Sequence, residues 1–134
     1  MSTRSLTVIR DREEEIVVMY RQSDGYPEGH GLELANFLEG RYIVNGINLK
    51  DKRKIANGMS CLAAQIICNF KKEPGGIYLH PSGSRNMGEA YIYTVFLDEL
   101  NVLNISVSTS DVSNILFIGE PKAFIKKFGG DNVY

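Results

Sequence analysis

The sequence predicts an α+β domain: a mostly antiparallel sheet of about six strands, with two helices inserted after the first hairpin and one C-terminal helix. Three observations carry this expectation. Alternating apolar residues mark strands at 5–10, 15–22, 77–80, 89–97, 103–109 and 115–118. Apolar spacings of three and four mark helices within 31–40, 50–72 and 122–128. Short polar turns join consecutive strands, which suits antiparallel pairing. At 134 residues the chain fits one domain, 1–134, with a real core.

Taken in order, residues 5–10 alternate Leu6 and Val8 against Thr7 and Ile9, and the charged turn 11–14 leads into a second strand. That strand carries Ile16, Val18, Tyr20 and Gln22 on one face and Val17, Met19 and Arg21 on the other. Both faces start apolar and end polar, so its far end is where side chains begin to present functional groups. It feeds the stretch Asp24-Gly25-Tyr26-Pro27-Glu28-Gly29-His30-Gly31, whose three glycines and one proline exclude strand or helix interior and define a turn.

A helix then places Leu32, Ala35 and Leu38 on one side and closes at Gly40. The connection 41–48 is extended at 42–44, with Asn45-Gly46 as a turn. The second helix, 50–72, carries the stripe Ile55, Met59, Leu62, Ile66 and Phe70, and Gly58 inside it marks a break or a close backbone approach. Glu73-Pro74-Gly75-Gly76 stops that helix. Strand 77–80, the polar loop 81–88 and strand 89–97 follow, and the last is apolar on both faces, as a central strand should be. Strand 103–109 puts Asn104, Ser106 and Ser108 on a wet face. Strand 115–118 precedes the final helix, ended by Gly129-Gly130-Asp131.

A net charge of −1 gives no overall signature of a nucleic-acid or membrane surface, and a composition 43% hydrophobic and 23% charged is that of a soluble globular protein. No apolar run approaches the roughly 18 residues of a membrane span. The start Met1-Ser2-Thr3-Arg4-Ser5 does not read as a secretory leader, so the expected location is cytoplasmic. Cys61 and Cys68 fall seven residues apart in one expected helix, about 10 Å along its axis, and cannot pair with each other. They read as buried reduced thiols. The two histidines, His30 and His80, sit in separate loops, and neither a metal nor a cofactor is expected.

Two loops could carry chemistry. In the first, backbone N–H groups at Gly29, His30 and Gly31 open a helix and suit an anion, Asp24 and Glu28 add carboxylates, and Tyr26 offers a flat face. It lacks the lysine and spacing of a phosphate loop. On the purely structural reading this turn plugs the sheet end and binds nothing, and His30 is an ordinary surface residue. The second loop, 80–88, gathers Ser82, Ser84, Arg85 and Asn86 around glycines, the usual equipment for phosphate or carboxylate; its structural reading is a solvated hairpin loop. Arg4, Tyr20, Gln22, Tyr78 and Tyr91 lie at strand ends beside these loops. The candidate ligand-binding set is therefore Arg4, Tyr20, Gln22, Asp24, Tyr26, His30, Ser84, Arg85 and Asn86, in one two-loop site. Arg85→Ala is then expected to weaken binding and leave thermal stability nearly unchanged. No nucleophile, base and orienting group stand in a recognisable relation, so no catalytic residue is assigned.

The segment Thr3-Arg4-Ser5-Leu6-Thr7, with Tyr20-Arg21-Gln22-Ser23-Asp24-Gly25-Tyr26-Pro27-Glu28-Gly29-His30-Gly31 and Phe37-Leu38, resembles a family of short phage- and prophage-encoded proteins of mostly unassigned function. The resemblance covers about the first 40 residues. Relatives often carry a tryptophan before the aspartate, where this chain has Ser23. The resemblance implies a defence-evasion protein. The leading expectation is a non-enzymatic, homo-oligomeric binder that sequesters a small anionic, nucleotide-derived immune signal. In it Arg85 and the helix start take phosphates, and Tyr20 or Tyr26 stacks on a base. The alternative is an inhibitor that binds a host immune protein or nucleoprotein complex; the third is a small hydrolase using Asp24, His30 or His80.

Overall fold

The structure, a computed structural model, describes residues 2–130. Strands β1 (Ser5–Asp11) and β2 (Glu14–Arg21) form an antiparallel hairpin with Leu6 opposite Tyr20 and Val8 opposite Val18, and a register shift between Ile9 and Arg10. The chain then enters a π-helical turn, Pro27–Gly31, that runs directly into α1 (Leu32–Leu38). Strands β3 (Arg41–Val44) and β4 (Lys54–Asn57) pair in parallel as a small second sheet before α2 (Gly58–Phe70). Strands β5 (Ile77–His80), β6 (Tyr91–Leu97), β7 (Leu103–Thr109) and β8 (Ile115–Gly119) lead to α3 (Pro121–Phe128).

The main sheet has six strands in the order β5-β2-β1-β6-β7-β8. Every neighbouring pair is antiparallel except β1 and β6, which run parallel with Leu6 beside Ile92 and Val8 beside Thr94. The sheet is thus mostly antiparallel around one parallel seam, and β6 lies inside it, where a strand apolar on both faces belongs.

Alternation sorts the side chains onto two unlike faces. Ile9, Met19, Tyr93, Val95, Ile105 and Val107 point toward the helices and pack with Leu34, Leu38, Leu62, Ile66 and Phe124 from α1, α2 and α3. Each such fully buried side chain contributes roughly 1.5–3 kcal/mol of transfer free energy. On the opposite face Leu6, Val8, Val18 and Ile92 form a smaller cluster with Tyr20 and Met87. Among the described residues no helix side chain joins this cluster; a strap of residues 81–90 packs on it through Met87. Glu15 holds the strap at one end, accepting from Gly83 N at 2.6 Å and from Arg85 Nη2 at 2.6 Å. Glu89 holds the middle, accepting from Asn86 N at 3.1 Å and Met87 N at 2.6 Å.

Both edge strands are guarded by a lysine. Lys71 Nζ donates to the carbonyls of Gly75 and Ile77 at 2.9 Å each beside β5, and Lys127 Nζ reaches the carbonyl of Leu116 in β8 at 3.4 Å. An ammonium on an edge carbonyl opposes pairing with another strand.

Several expectations need correction. The helix expected over 50–72 begins only at Gly58, because Gly58 sits at φ +86°, a left-handed backbone that ends β4 rather than continuing a helix. Ile55, assigned above to the helical stripe, belongs to β4, and the connection 41–48 supplies β4's partner. The strand expected from 89 begins at Tyr91, since Glu89 is engaged with the strap. Cys61 is half-buried and Cys68 exposed, both free, so neither is the buried thiol expected. Asn104 and Ser108 are nearly buried rather than wet. Met1 and Asp131 lie outside the described residues.

Candidate functional site

The 24–31 turn is built into the core. Gly25 N donates to Thr3 O at 2.9 Å, and Tyr93 Oη, buried beneath, donates to Gly25 O at 2.7 Å. A Cβ on Gly25 would stand 2.7 Å from Ser5 Cβ, and one on Gly31 would stand 2.7 Å from Phe124 Cζ, so both glycines are there for close approach. The left-handed residue is Asp24, at φ +60°. The amides assigned to an anion are already used: Gly29 N donates to Tyr26 O, His30 N to Asp24 O and Gly31 N to Tyr26 O. With those donors engaged, the turn has little left to offer an anion.

His30, expected at the surface or against a ligand, is fully buried. Its ring packs on Phe70 and Tyr93, with Nε2 at 2.8 Å from Thr7 Oγ1 and Nδ1 at 3.1 Å from Arg21 Nη1. Burial, reinforced by the Arg21 charge, pushes its pKa down to about 3. Arg21 is largely engaged as well, donating through Nη1 to Glu33 Oε1 at 2.6 Å and through Nε to Ser23 O at 2.7 Å. Burial likewise pushes the Tyr93 phenol well above the usual range.

Arg85 and Ser84 are committed to the strap. Arg85 clasps Glu15 through Nη2 at 2.6 Å and Nη1 at 3.3 Å, and that clasp holds the Glu15 carboxyl below its ordinary pKa. Ser84 Oγ donates to Pro81 O at 2.7 Å. The strap lies on the open face of the sheet, whereas His30 and the π-helical turn lie on the helix face, so one subunit does not bring the two loops together as a single site. Tyr91 also packs on the helix side.

Part of the candidate set does converge, on the open face at the β1–β2–β5 end. Tyr20 lies between Leu6 and Tyr78 in the ladder, and His80 lies opposite Val18 one step along the same face. The Tyr20 ring centroid is 6.1 Å from that of Tyr78 and 6.2 Å from that of His80. Tyr20 Oη donates to Gln22 Oε1 at 2.8 Å, which leaves the Gln22 side-chain N–H groups without a partner among the described residues. Arg4 falls opposite Gln22, one step beyond the Ser5–Arg21 pair, and its Nη1 would lie 2.5 Å from a Cβ on Gly88. Arg4 is exposed; its carbonyl accepts from Ala90 N at 2.9 Å, but its guanidinium makes no ion pair or hydrogen bond among the described residues and is available to an anion. Asn86, exposed and left-handed at φ +61°, lies in the strap two residues from Gly88.

The site is therefore a flat one: two phenols, an imidazole, an amide and an unpaired guanidinium on one sheet face. Aromatic rings bearing polar tips suit a flat heterocycle, and the arginine suits a phosphate or carboxylate. The sequence puts His80 at the end of strand 77–80 and among the hydrolase candidates but not in the ligand-binding set; the period-two pattern through Val18 and Tyr20 to their β5 partners is the signal that could have placed it here. Comparison with family models, curated proteins and solved structures returned no match.

Proposed function

We propose that this protein is a non-enzymatic binder of a small anionic, nucleotide-type ligand, which it sequesters on the open sheet face. Arg4 takes the phosphate, Tyr78 and Tyr20 face the base, and Gln22 donates to its edge. The observation that carries this reading is the exposed, unpaired Arg4 guanidinium beside Gln22 and the Tyr20–Tyr78 pair. The resemblance to phage and prophage proteins adds the biological setting: evasion of host defence by withdrawing a nucleotide signal in the host cytoplasm. No helix is long and apolar enough to cross a membrane among the described residues.

The test uses the intrinsic tyrosine fluorescence of a chain without tryptophan. A panel of cyclic nucleotides and ADP-ribose derivatives is titrated, and the bound compound is released by heat and identified. Quenching with release of intact compound is the expected result. Tyr78→Ala should weaken binding by about 5- to 100-fold, given roughly 1–3 kcal/mol per stacked base. Altered compound would point to the hydrolase, for which His80 beside Tyr20 is the accessible candidate base, since His30 is fully buried. No uptake of any compound would overturn the reading.

A second reading, an inhibitor of a host protein, is favoured by a different surface. The loop after β3 carries Ile47 and Leu49, 67% and 95% exposed, and Tyr42 in β3 is exposed as well. If these side chains lie together as one apolar patch, that patch suits a protein partner. Because both sheet edges carry a lysine, the homo-oligomer that belongs to the first reading would use this loop as well. Leu49→Asp with sedimentation analysis separates the two: a shift to monomer assigns the loop to self-association, and an unchanged mass leaves it for a host protein.

A further inference from the structure

Beyond the strap, the other half of the open face holds a groove that neither reading uses. It has a volume of about 280 Å³ and lies over β1, β6, β7 and β8. Cross-strand register builds its floor: Val8 beside Thr94, Thr94 opposite Ser106, and Ser106 opposite Ile118. Ile92 stands opposite Ser108, and Ser108 opposite Ile115. The hydroxyls of Thr94, Ser106 and Ser108 make no hydrogen bond to any described residue, and all three residues line the groove.

At one end Arg10 lies over the Phe96 ring, its Cζ 5.2 Å from the centroid. Its Nε is buried and has no hydrogen-bond partner among the described residues. Leaving a charged donor buried and unpaired is unfavourable, and folded proteins rarely do so without a use for it. Glu15, which clasps the neighbouring Arg85 at 2.6 Å, also stands opposite Arg10 and feels its charge, so one carboxylate faces two guanidiniums and this end of the groove keeps a net positive charge. The opposite wall is apolar and exposed, formed by Val112, Ile115 and Ile118.

We propose that this groove binds a small organic oxyanion, a carboxylate or phosphate monoester on a compact apolar body. Arg10 pairs with the oxyanion, Thr94, Ser106 and Ser108 donate to its remaining oxygens, and the β8 wall covers the body. The volume falls just below the about 300–1,000 Å³ of ordinary ligand cavities, which excludes a dinucleotide and fits a single ring. This site stands apart from the Arg4 site, on the other side of the strap, and either can exist without the other.

The test uses the full chain with phenyl phosphate, benzoate, benzyl alcohol and inorganic phosphate, followed by calorimetry and by amide chemical-shift mapping. Phenyl phosphate or benzoate should bind in the groove, benzyl alcohol should not, and the shifts that persist in Arg4→Ala should centre on Thr94, Ser106 and Ile118. Whichever of the two anions binds tighter identifies the oxyanion, and inorganic phosphate alone should bind more weakly than either. Arg10→Met keeps the stem over Phe96 and should weaken binding by about tenfold or more. Ser106→Ala should weaken it by about threefold, which keeps the test open if the first variant folds poorly. Arg4→Ala should leave it unchanged. The proposal is overturned if neither anion binds more tightly than benzyl alcohol, if Arg10→Met binds as the parent does, or if the shifts that persist in Arg4→Ala centre on Tyr20 and Tyr78.

Discussion

His30 Nε2 lies 2.8 Å from Thr7 Oγ1 while Arg21 Nη1 lies 3.1 Å from the other ring nitrogen, and together these contacts fix the tautomer. A guanidinium can only donate, so Nδ1 must present its lone pair. The ring proton is therefore on Nε2, which donates to the threonine hydroxyl. A neutral imidazole in this place is what ties the 24–31 turn to β1.

That neutrality makes stability depend on pH. The unfolded chain takes up a proton at this residue near 6.5, and the folded chain only near about 3. Between those values the unfolded state binds more protons, so stability is intact above about 6.5 and falls as pH drops. Urea denaturation at pH 7, 5.5 and 4.5 should show the decline, up to about 1.4 kcal/mol per pH unit from this residue. His30→Gln should flatten it; an unchanged slope in that variant would mean the imidazole is charged or solvated.

Gly31→Ala should destabilise the fold although no left-handed backbone is involved. The added methyl would meet Phe124 Cζ at 2.7 Å and Tyr93 Cε2 at 3.1 Å, both in a packed core. A cost of about 1–3 kcal/mol is expected, visible as a lowered denaturation midpoint at unchanged m-value. A neutral result would show that Phe124 can move aside.

Arg85→Ala should lower thermal stability, against the sequence expectation. Its guanidinium clasps Glu15 across the sheet, and both side chains are partly shielded from solvent. The loss should be about 1 kcal/mol after allowing for screening. Glu15 is held below its ordinary pKa chiefly by Arg85, so this contribution is present above the unfolded carboxyl pKa and is lost as pH falls through the folded one. The variant and the parent should therefore converge in acid, as thermal scans at neutral pH and below pH 4 would show.

Much of the scaffold was legible because it is local. The alternation of Leu6, Thr7, Val8 and Ile9, and of Val17, Val18, Met19 and Tyr20, specifies the hairpin and both its faces. β4 was not legible: it is four residues long, and Ile55 and Ala56 fall as well on a helical period as on an alternating one. Only the backbone sign at Gly58 separates the two. The candidate site was half legible, since Arg4, Tyr20 and Gln22 sit on neighbouring strand ends. Arg85 misled because its partner, Glu15, is 70 positions away, and Arg10 was passed over because an arginine ending a strand looks like a solvated charge. His30 misled because the amides and carbonyls of its own turn take it inward, and no periodicity reports that.

The parallel seam between β1 and β6 has a consequence for how the chain is made. Residues 5–9 acquire their second neighbour only from residues 91–95, so the first hairpin leaves the ribosome long before that flank can be filled. Until then one side of β1 is an open strand bearing Leu6, Val8 and Ile9, with no lysine of the kind that shields the finished edges. A nascent chain stalled before residue 91 should be the species most dependent on chaperones.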